Sequence, residues 1–304
     1  MDWTSFHRLS DIYDYLTYLA KTYPQIVKLI NIGWSYEGRP LYVVRISSAS
    51  SPDTNPAIWI DGGIHAREWI TPAVATYIIH QLVEVAGNAG LSTNVDWYIM
   101  PVINPDGKIA YGEKVVLRLR YFVEVLIKTG TLVTRLDLSL TFLRVQQWGG
   151  LGASRQPCTE TFRGPAGFSE RETAAVSNFI QGKSTKIKVF ITLHSYGQYI
   201  LLPWGYEALR PADYDELLAL ADDAASKFVR FKYTVGNTAE LLYSASGGSV
   251  DWAKSIGIKY SYGVELGDTG TYGFVLPPSL ILPICEDFFP ALKVFADKAD
   301  SMTH

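Results

Sequence analysis

Ala57-Ile58-Trp59-Ile60-Asp61-Gly62-Gly63-Ile64-His65-Ala66-Arg67-Glu68-Trp69 is an apolar run that meets a double glycine and then delivers a histidine, an arginine and a glutamate. Short runs of β-branched and aromatic residues bounded by glycine read as buried strands, and α/β sheets bind ligands just past the carboxyl ends of such strands. His65 and Glu68 stand three apart, so an imidazole nitrogen and a carboxylate can converge on one point, a common donor pair for Zn²⁺. On this stretch alone, a histidine bonded to backbone and a solvated glutamate fit as well.

Two later strands add weight. Lys188-Val189-Phe190-Ile191-Thr192-Leu193 ends on His194, and Lys259-Tyr260-Ser261-Tyr262-Gly263-Val264 ends on Glu265. A catalytic zinc takes three protein ligands and keeps one position open. His65, Glu68 and His194 supply three, which leaves Glu265 as a carboxylate beside the open position. Separate structural roles for these four residues stay open at this point.

Working outward, Ile12, Tyr13, Leu16, Leu19 and Ala20 share one helical face that starts at Ser10-Asp11 and stops before Pro24. Ile26 to Ile32 and Leu41 to Ile46 read as a hairpin around the turn Tyr36-Glu37-Gly38-Arg39-Pro40. Thr71 and Pro72 open a helix reaching about Val85, in which His80 is an ordinary helix residue, and Asp96 to Val102 is a strand. Ser169 to Glu172 is a capping box for a helix ending near Gly182. Pro211 and Asp213 start a helix to about Phe231, and a last helix runs from Pro283 to about Asp300 with a kink expected at Pro290. Strands alternating with helices after an opening hairpin predict an α/β fold: a mixed, twisted sheet flanked by helices on both faces.

No linker, charge run or internal repeat divides the 304 residues, so residues 1–304 are expected to be a single domain. With 48% apolar and 19% charged residues and a net charge of −3, nothing in the composition calls for nucleic acid or an anionic membrane. No apolar run is long enough to span a bilayer, and no charged n-region followed by an apolar h-region opens the chain.

Asp61-Gly-Gly-Ile-His-Ala-Arg-Glu-Trp69, Asn104-Pro-Asp-Gly107, Thr192-Leu-His-Ser-Tyr196, Tyr243-Ser-Ala-Ser-Gly-Gly-Ser-Val-Asp-Trp252 and Val264-Glu-Leu-Gly-Asp-Thr-Gly-Thr-Tyr-Gly-Phe274 closely resemble the zinc carboxypeptidases of the pancreatic A/B type. The resemblance implies an eight-stranded sheet, one Zn²⁺ per chain on His65, Glu68 and His194, and Glu265 as the catalytic base. It implies Arg67, Tyr196 and Tyr243 as substrate-binding residues, Tyr243 being a mobile tyrosine that folds over the bound C-terminal residue. Arg120, with Arg118 second, aligns with the arginine that stabilises the oxyanion. Val250 aligns with the floor of the pocket for the C-terminal side chain, which is acidic in enzymes that remove Lys or Arg and aliphatic in those that remove apolar residues. Gly263 replaces a pocket-lining side chain, so the pocket should be deep. The expected activity is removal of apolar or aromatic residues from peptide or protein C-termini. A B-type enzyme drawing on Asp268 or Glu240 is the alternative. The family further implies a secreted, digestive, monomeric enzyme, made as a precursor with an inhibitory pro-segment and open to protein inhibitors.

Between Lys108 and Gln147 the resemblance fails. Asp137 keeps an aspartate that would orient His65. Ser139 and Leu140 stand where the family clamps the substrate carboxylate with an Asn-Arg pair, and leucine cannot replace a bidentate guanidinium. A wrongly determined stretch of sequence, a divergence of specificity, and a weakly active or inactive zinc-retaining relative are three readings; the intact flanks favour the first. An amidohydrolase or deacylase on the same scaffold is a further reading. Cys158 and Cys285 are expected not to pair, since the family's partner for Cys158 would fall near Val133 and Cys285 reads as a buried apolar side chain.

Overall fold

Leu9, Ile12, Tyr15, Leu16 and Leu19 are buried along one side of the first helix, α1 (Leu9–Thr22), as their spacing requires. The computed structural model describes residues 1–48, 55–115, 149–156, 159 and 161–303. Beyond α1 come β1 (Val27–Trp34), β2 (Pro40–Ile46), β3 (Ala57–Asp61), α2 (Ile70–Val83), β4 (Asp96–Met100) and α3 (Pro105–Val115). Then follow α4 (Arg171–Gln181), β5 (Ile187–Ser195), β6 (Tyr199–Leu202), α5 (Tyr214–Ser226), β7 (Thr234–Asn237), α6 (Thr238–Leu241), α7 (Ser249–Ser255), β8 (Tyr260–Leu266) and α8 (Ile281–Asp300).

The strands form one eight-stranded sheet in the order β1-β2-β4-β3-β5-β8-β6-β7. β4, β3, β5 and β8 run parallel at its centre, and the β1–β2 hairpin and β6 add antiparallel pairs. Central parallel strands are covered on both faces, and every residue of β3 and β4 is accordingly buried. Ile58, Ile60, Trp97 and Ile99 face a core built with α1, α2, α5 and α8. Ala57, Trp59, Tyr98 and Met100 face a second core with α4 and α7. The fold is thus a single α/β domain with a mixed sheet. Among the described residues no helix is long and apolar enough to cross a membrane.

The hairpin and the three site-bearing strands lie where the sequence puts them, and α8 continues unbroken through Pro290. Several helix ends differ, among them the start of α8, at Ile281 rather than Pro283. α1 begins two residues early: its N-cap is Arg8 rather than Ser10, with Asp11 accepting from the Arg8 amide (3.0 Å). The capping box at Ser169 does not form: Glu170 is the N-cap residue, and the Glu172 carboxylate accepts from the Tyr36 amide (3.0 Å) in the β1–β2 turn. α5 stops at Ser226 rather than Phe231 because Asp287 on α8 collects the amides of Val229, Arg230 and Phe231. Cys285 is a free, buried thiol, in line with the expected absence of a bond to Cys158, which lies outside the described residues.

Candidate active site

β3 ends into a turn that only small residues can make. Gly63 has φ +63°, and a Cβ there would stand 3.1 Å from the Pro101 carbonyl oxygen; at Gly62 it would stand 3.0 Å from that of Thr71. The turn drops His65 and Glu68 at the mouth of the sheet, and Thr71 fixes it by donating to the Glu68 carbonyl (3.0 Å) while accepting from the Gly63 amide (2.8 Å). His194 near the end of β5 and Glu265 on β8 are register partners across adjacent parallel strands, so the backbone itself brings them side by side.

His65 Nδ1 lies 2.8 Å from Glu68 Oε1, and His194 Nδ1 lies 3.2 Å from His65 Nδ1 and 3.4 Å from Glu68 Oε2. Glu68 Oε2 is buried without a hydrogen bond. One donor atom from each of the three residues falls within 4.8 Å of the others. Burial disfavours an ionised Glu68, yet the neighbouring histidines outweigh it and hold the carboxylate below its usual range. Burial likewise disfavours a charged His194, and Glu68 overrides it, raising the imidazole to about 9. Two imidazole nitrogens and a partly unsatisfied carboxylate converging on one point form a site that demands positive charge, and N and O donors of this kind suit Zn²⁺. Glu265 is different: burial pushes it up to about 7, with His194 pulling down and Glu68 pushing up.

Behind His194 runs a further chain of contacts. Its Nε2 is 3.2 Å from Thr192 Oγ1, which donates to Asp61 Oδ1 (2.6 Å), and Asp61 Oδ2 accepts from Trp59 Nε1 (2.6 Å). The sequence reading treats Asp61 and Thr192 only as strand residues. A carboxylate closing an apolar strand, and a threonine two positions before a ligand on the same face, were the signals available.

The family profile described as zinc carboxypeptidase (Peptidase M14) matches residues 12–291. The chain belongs to the zinc carboxypeptidases. It is 38% identical over 302 residues to a carboxypeptidase B of Astacus astacus, covering 98% of each chain. It is 37% identical over 302 residues to carboxypeptidase A2 of Mus musculus, covering 96% of this chain and 70% of that protein. Among solved structures, bovine thrombin-activatable fibrinolysis inhibitor in complex with tick carboxypeptidase inhibitor matches with a TM-score of 0.87 at 35% identity over 99% of both chains. Carboxypeptidase A from Helicoverpa armigera matches with a TM-score of 0.87 at 29% identity over 99% of this chain and 75% of that one. Relatives named for both the A and the B type stand at almost equal identity.

His65, Glu68 and His194 are the zinc-ligand triad of this carboxypeptidase. Around it, the Arg67 guanidinium stacks over Phe274 (4.2 Å to the ring centroid), and Phe274 meets Tyr196 edge-on at 5.0 Å. Tyr243 is 68% exposed on the loop between α6 and α7. Val250 lies in α7, where its Cγ2 would be 3.4 Å from a Cβ at Gly263, itself 3.7 Å from Leu201 Cβ. His80 is bonded to Glu84 (2.9 Å) and belongs to no metal cluster among the described residues. Arg118, Arg120, Val133, Asp137, Ser139 and Leu140 lie outside the described residues.

Proposed function

We propose that this zinc carboxypeptidase removes apolar and aromatic residues, Phe, Tyr and Leu foremost, in preference to Lys or Arg. The single observation that supports this is the apolar packing of Val250 and Leu201 beside the side-chain-free Gly263, at the position where the family has the floor of its pocket. An apolar side chain buried there gains about 25 cal/mol per Å². A buried ammonium or guanidinium without a counter-charge costs on the order of several kcal/mol. The two acids offered as B-type candidates are engaged elsewhere: Glu240 takes Arg210 bidentately (3.0 and 2.7 Å), and Asp268 accepts the amides of Gly270 (2.9 Å) and Tyr272 (2.6 Å). Both facts speak against the B-type alternative.

When bound, Zn²⁺ supplies the Lewis acidity that polarises the scissile carbonyl and acidifies the attacking water. The Glu265 carboxylate takes the proton from that water and returns it to the leaving amine nitrogen. Arg67 binds the substrate backbone, Tyr196 and Phe274 flank it, and Tyr243 swings over the terminal residue to shed water. Arg120 is assigned the oxyanion on its alignment alone. Secretion, a digestive role, a monomeric state and control by a pro-segment or by a protein inhibitor, as in the bovine complex, are proposed by family likeness.

Two peptides differing only in a terminal Phe or Arg test the specificity. A higher kcat/KM for Phe is expected, with Val250→Asp moving preference toward Arg; a wild-type preference for Arg overturns the reading. Ser139-Leu140 in place of the carboxylate clamp favours one second reading, a weakly active zinc-retaining relative. Comparing a peptide with a free C-terminus against its amidated form separates the two, because a true carboxypeptidase cleaves only the first.

A further inference from the structure

A neutral imidazole carries one proton, so His194 can turn a lone pair toward the metal from Nδ1 only if that proton sits on Nε2. We infer that Asp61, acting through the Thr192 hydroxyl, holds His194 in the Nε2–H form and so presents Nδ1 to the metal; this rests on the zinc-site reading above. The direction of each hydrogen bond follows from counting protons. Trp59 Nε1 is a donor only, and it points at Asp61 Oδ2 from 2.6 Å. Ionised Asp61 is an acceptor only, so Thr192 must give its single hydroxyl proton to Oδ1, 2.6 Å away. The Thr192 oxygen then has only lone pairs left for His194 Nε2 at 3.2 Å, and Nε2 must donate.

The geometry is built into the sheet. Asp61 and Thr192 are register partners between β3 and β5. Thr192 and His194 lie two apart on one strand and therefore on one face. Asp61 is fully buried, and its two oxygens are taken up by Trp59 and Thr192. The β-branched Thr192 has few rotamers, which suits a fixed relay better than a flexible side chain would. Asp61 and Thr192 are positioning residues: neither touches the reacting atoms.

The relay makes an ordering that a merely structural role does not. Thr192→Val keeps the shape but removes the hydroxyl, so His194 loses its bias, and Zn²⁺ affinity should fall roughly ten- to hundred-fold. Thr192→Ser should restore it to within a few-fold. Asp61→Asn reverses the chain: the amide donates to Thr192, the hydroxyl turns its proton to Nε2, and His194 is pushed to the Nδ1–H form that blocks the metal. Its affinity should fall at least about tenfold below that of Thr192→Val, and the double variant should recover to the Thr192→Val level, a non-additivity of opposite sign to simple damage. Affinity for Zn²⁺ is read by chelator competition on the whole chain, with the thermal midpoint of each zinc-free variant as a folding control. Should Asp61→Asn not fold, the Val and Ser pair at position 192 decides alone.

Thr192→Val within twofold of wild type, or losses that multiply in the double variant, overturns the relay. Peptide turnover is measured separately. Zn²⁺ affinities that fall in the predicted order across the variants, with a wild type that cleaves no peptide, support the relay and sink the proposed function.

Discussion

Glu265 can accept a proton only when ionised, and burial lifts it from the ordinary 4.5 to about 7, as His194 lowers it and Glu68 raises it. A divalent cation beside it favours the charged form and lowers that value. The sign follows: a base is active above its pKa, so kcat/KM should fall as pH drops, with a midpoint between the ordinary carboxylate range and about 7. Glu265→Gln should keep stoichiometric Zn²⁺ and lose roughly 10²- to 10⁴-fold in kcat together with that acid limb. Metal analysis beside a pH–rate profile checks both halves, and a variant retaining most of its rate removes Glu265 from the role of base. At this scale the sequence was most legible where a residue's chemistry and its place at a strand end agreed, as for His65, Glu68, His194 and Glu265. Asp61 and Thr192 were hidden because their partners are on a neighbouring strand 131 residues away, a separation that no local pattern encodes.

The elements were legible in proportion to how far local periodicity decides them. α1 carries its apolar spacing over 14 residues, α2 is marked by Thr71-Pro72 at its start and a long apolar run, and β3 is a short apolar run stopped by glycines. β6 and β7 have four residues each, too few for alternation to register; β6 forms on the edge that β8 offers, and β7 on the edge of β6. Helix ends failed where a distant acid competes with the helix for backbone amides. Asp287 is the sharpest case: its oxygens accept from Val229 (2.8 Å), Arg230 (3.0 and 3.2 Å) and Phe231 (2.9 Å), which ties the segment after α5 to the last helix. Hydrogen bonds to a charged partner are worth about 1.5–3 kcal/mol, and these amides are only part-buried, so water replaces part of the loss. Asp287→Ala should therefore lower stability by about 2–3 kcal/mol, seen as a reduced urea midpoint at unchanged m-value. A change under about 0.5 kcal/mol would mean that α5 is terminated by its own sequence.

At the scale of the whole molecule, the question is whether zinc builds this fold or only occupies it. The two cores sit on opposite faces of the sheet, one with α1, α2, α5 and α8 and the other with α4 and α7; His65, Glu68 and His194 contribute to neither. Their neighbours in sequence do the packing, Ile64 in one core and Leu193 in the other. A chain of this length buries roughly three quarters of the surface its unfolded form exposes, enough for cooperative folding without a metal. Small zinc domains behave differently, since there the ion supplies most of the folding free energy. Chelation should therefore abolish peptide hydrolysis while leaving a single cooperative thermal transition. The midpoint should drop only by what ligand linkage dictates, about 2.7 kcal/mol for free Zn²⁺ at a hundred times its Kd, and return on adding the metal. Scanning calorimetry of chelated and reloaded protein measures this directly. Loss of the cooperative transition at moderate temperature would make the metal a structural element of the fold, and the separation of cores from site would then fail as an account of its stability.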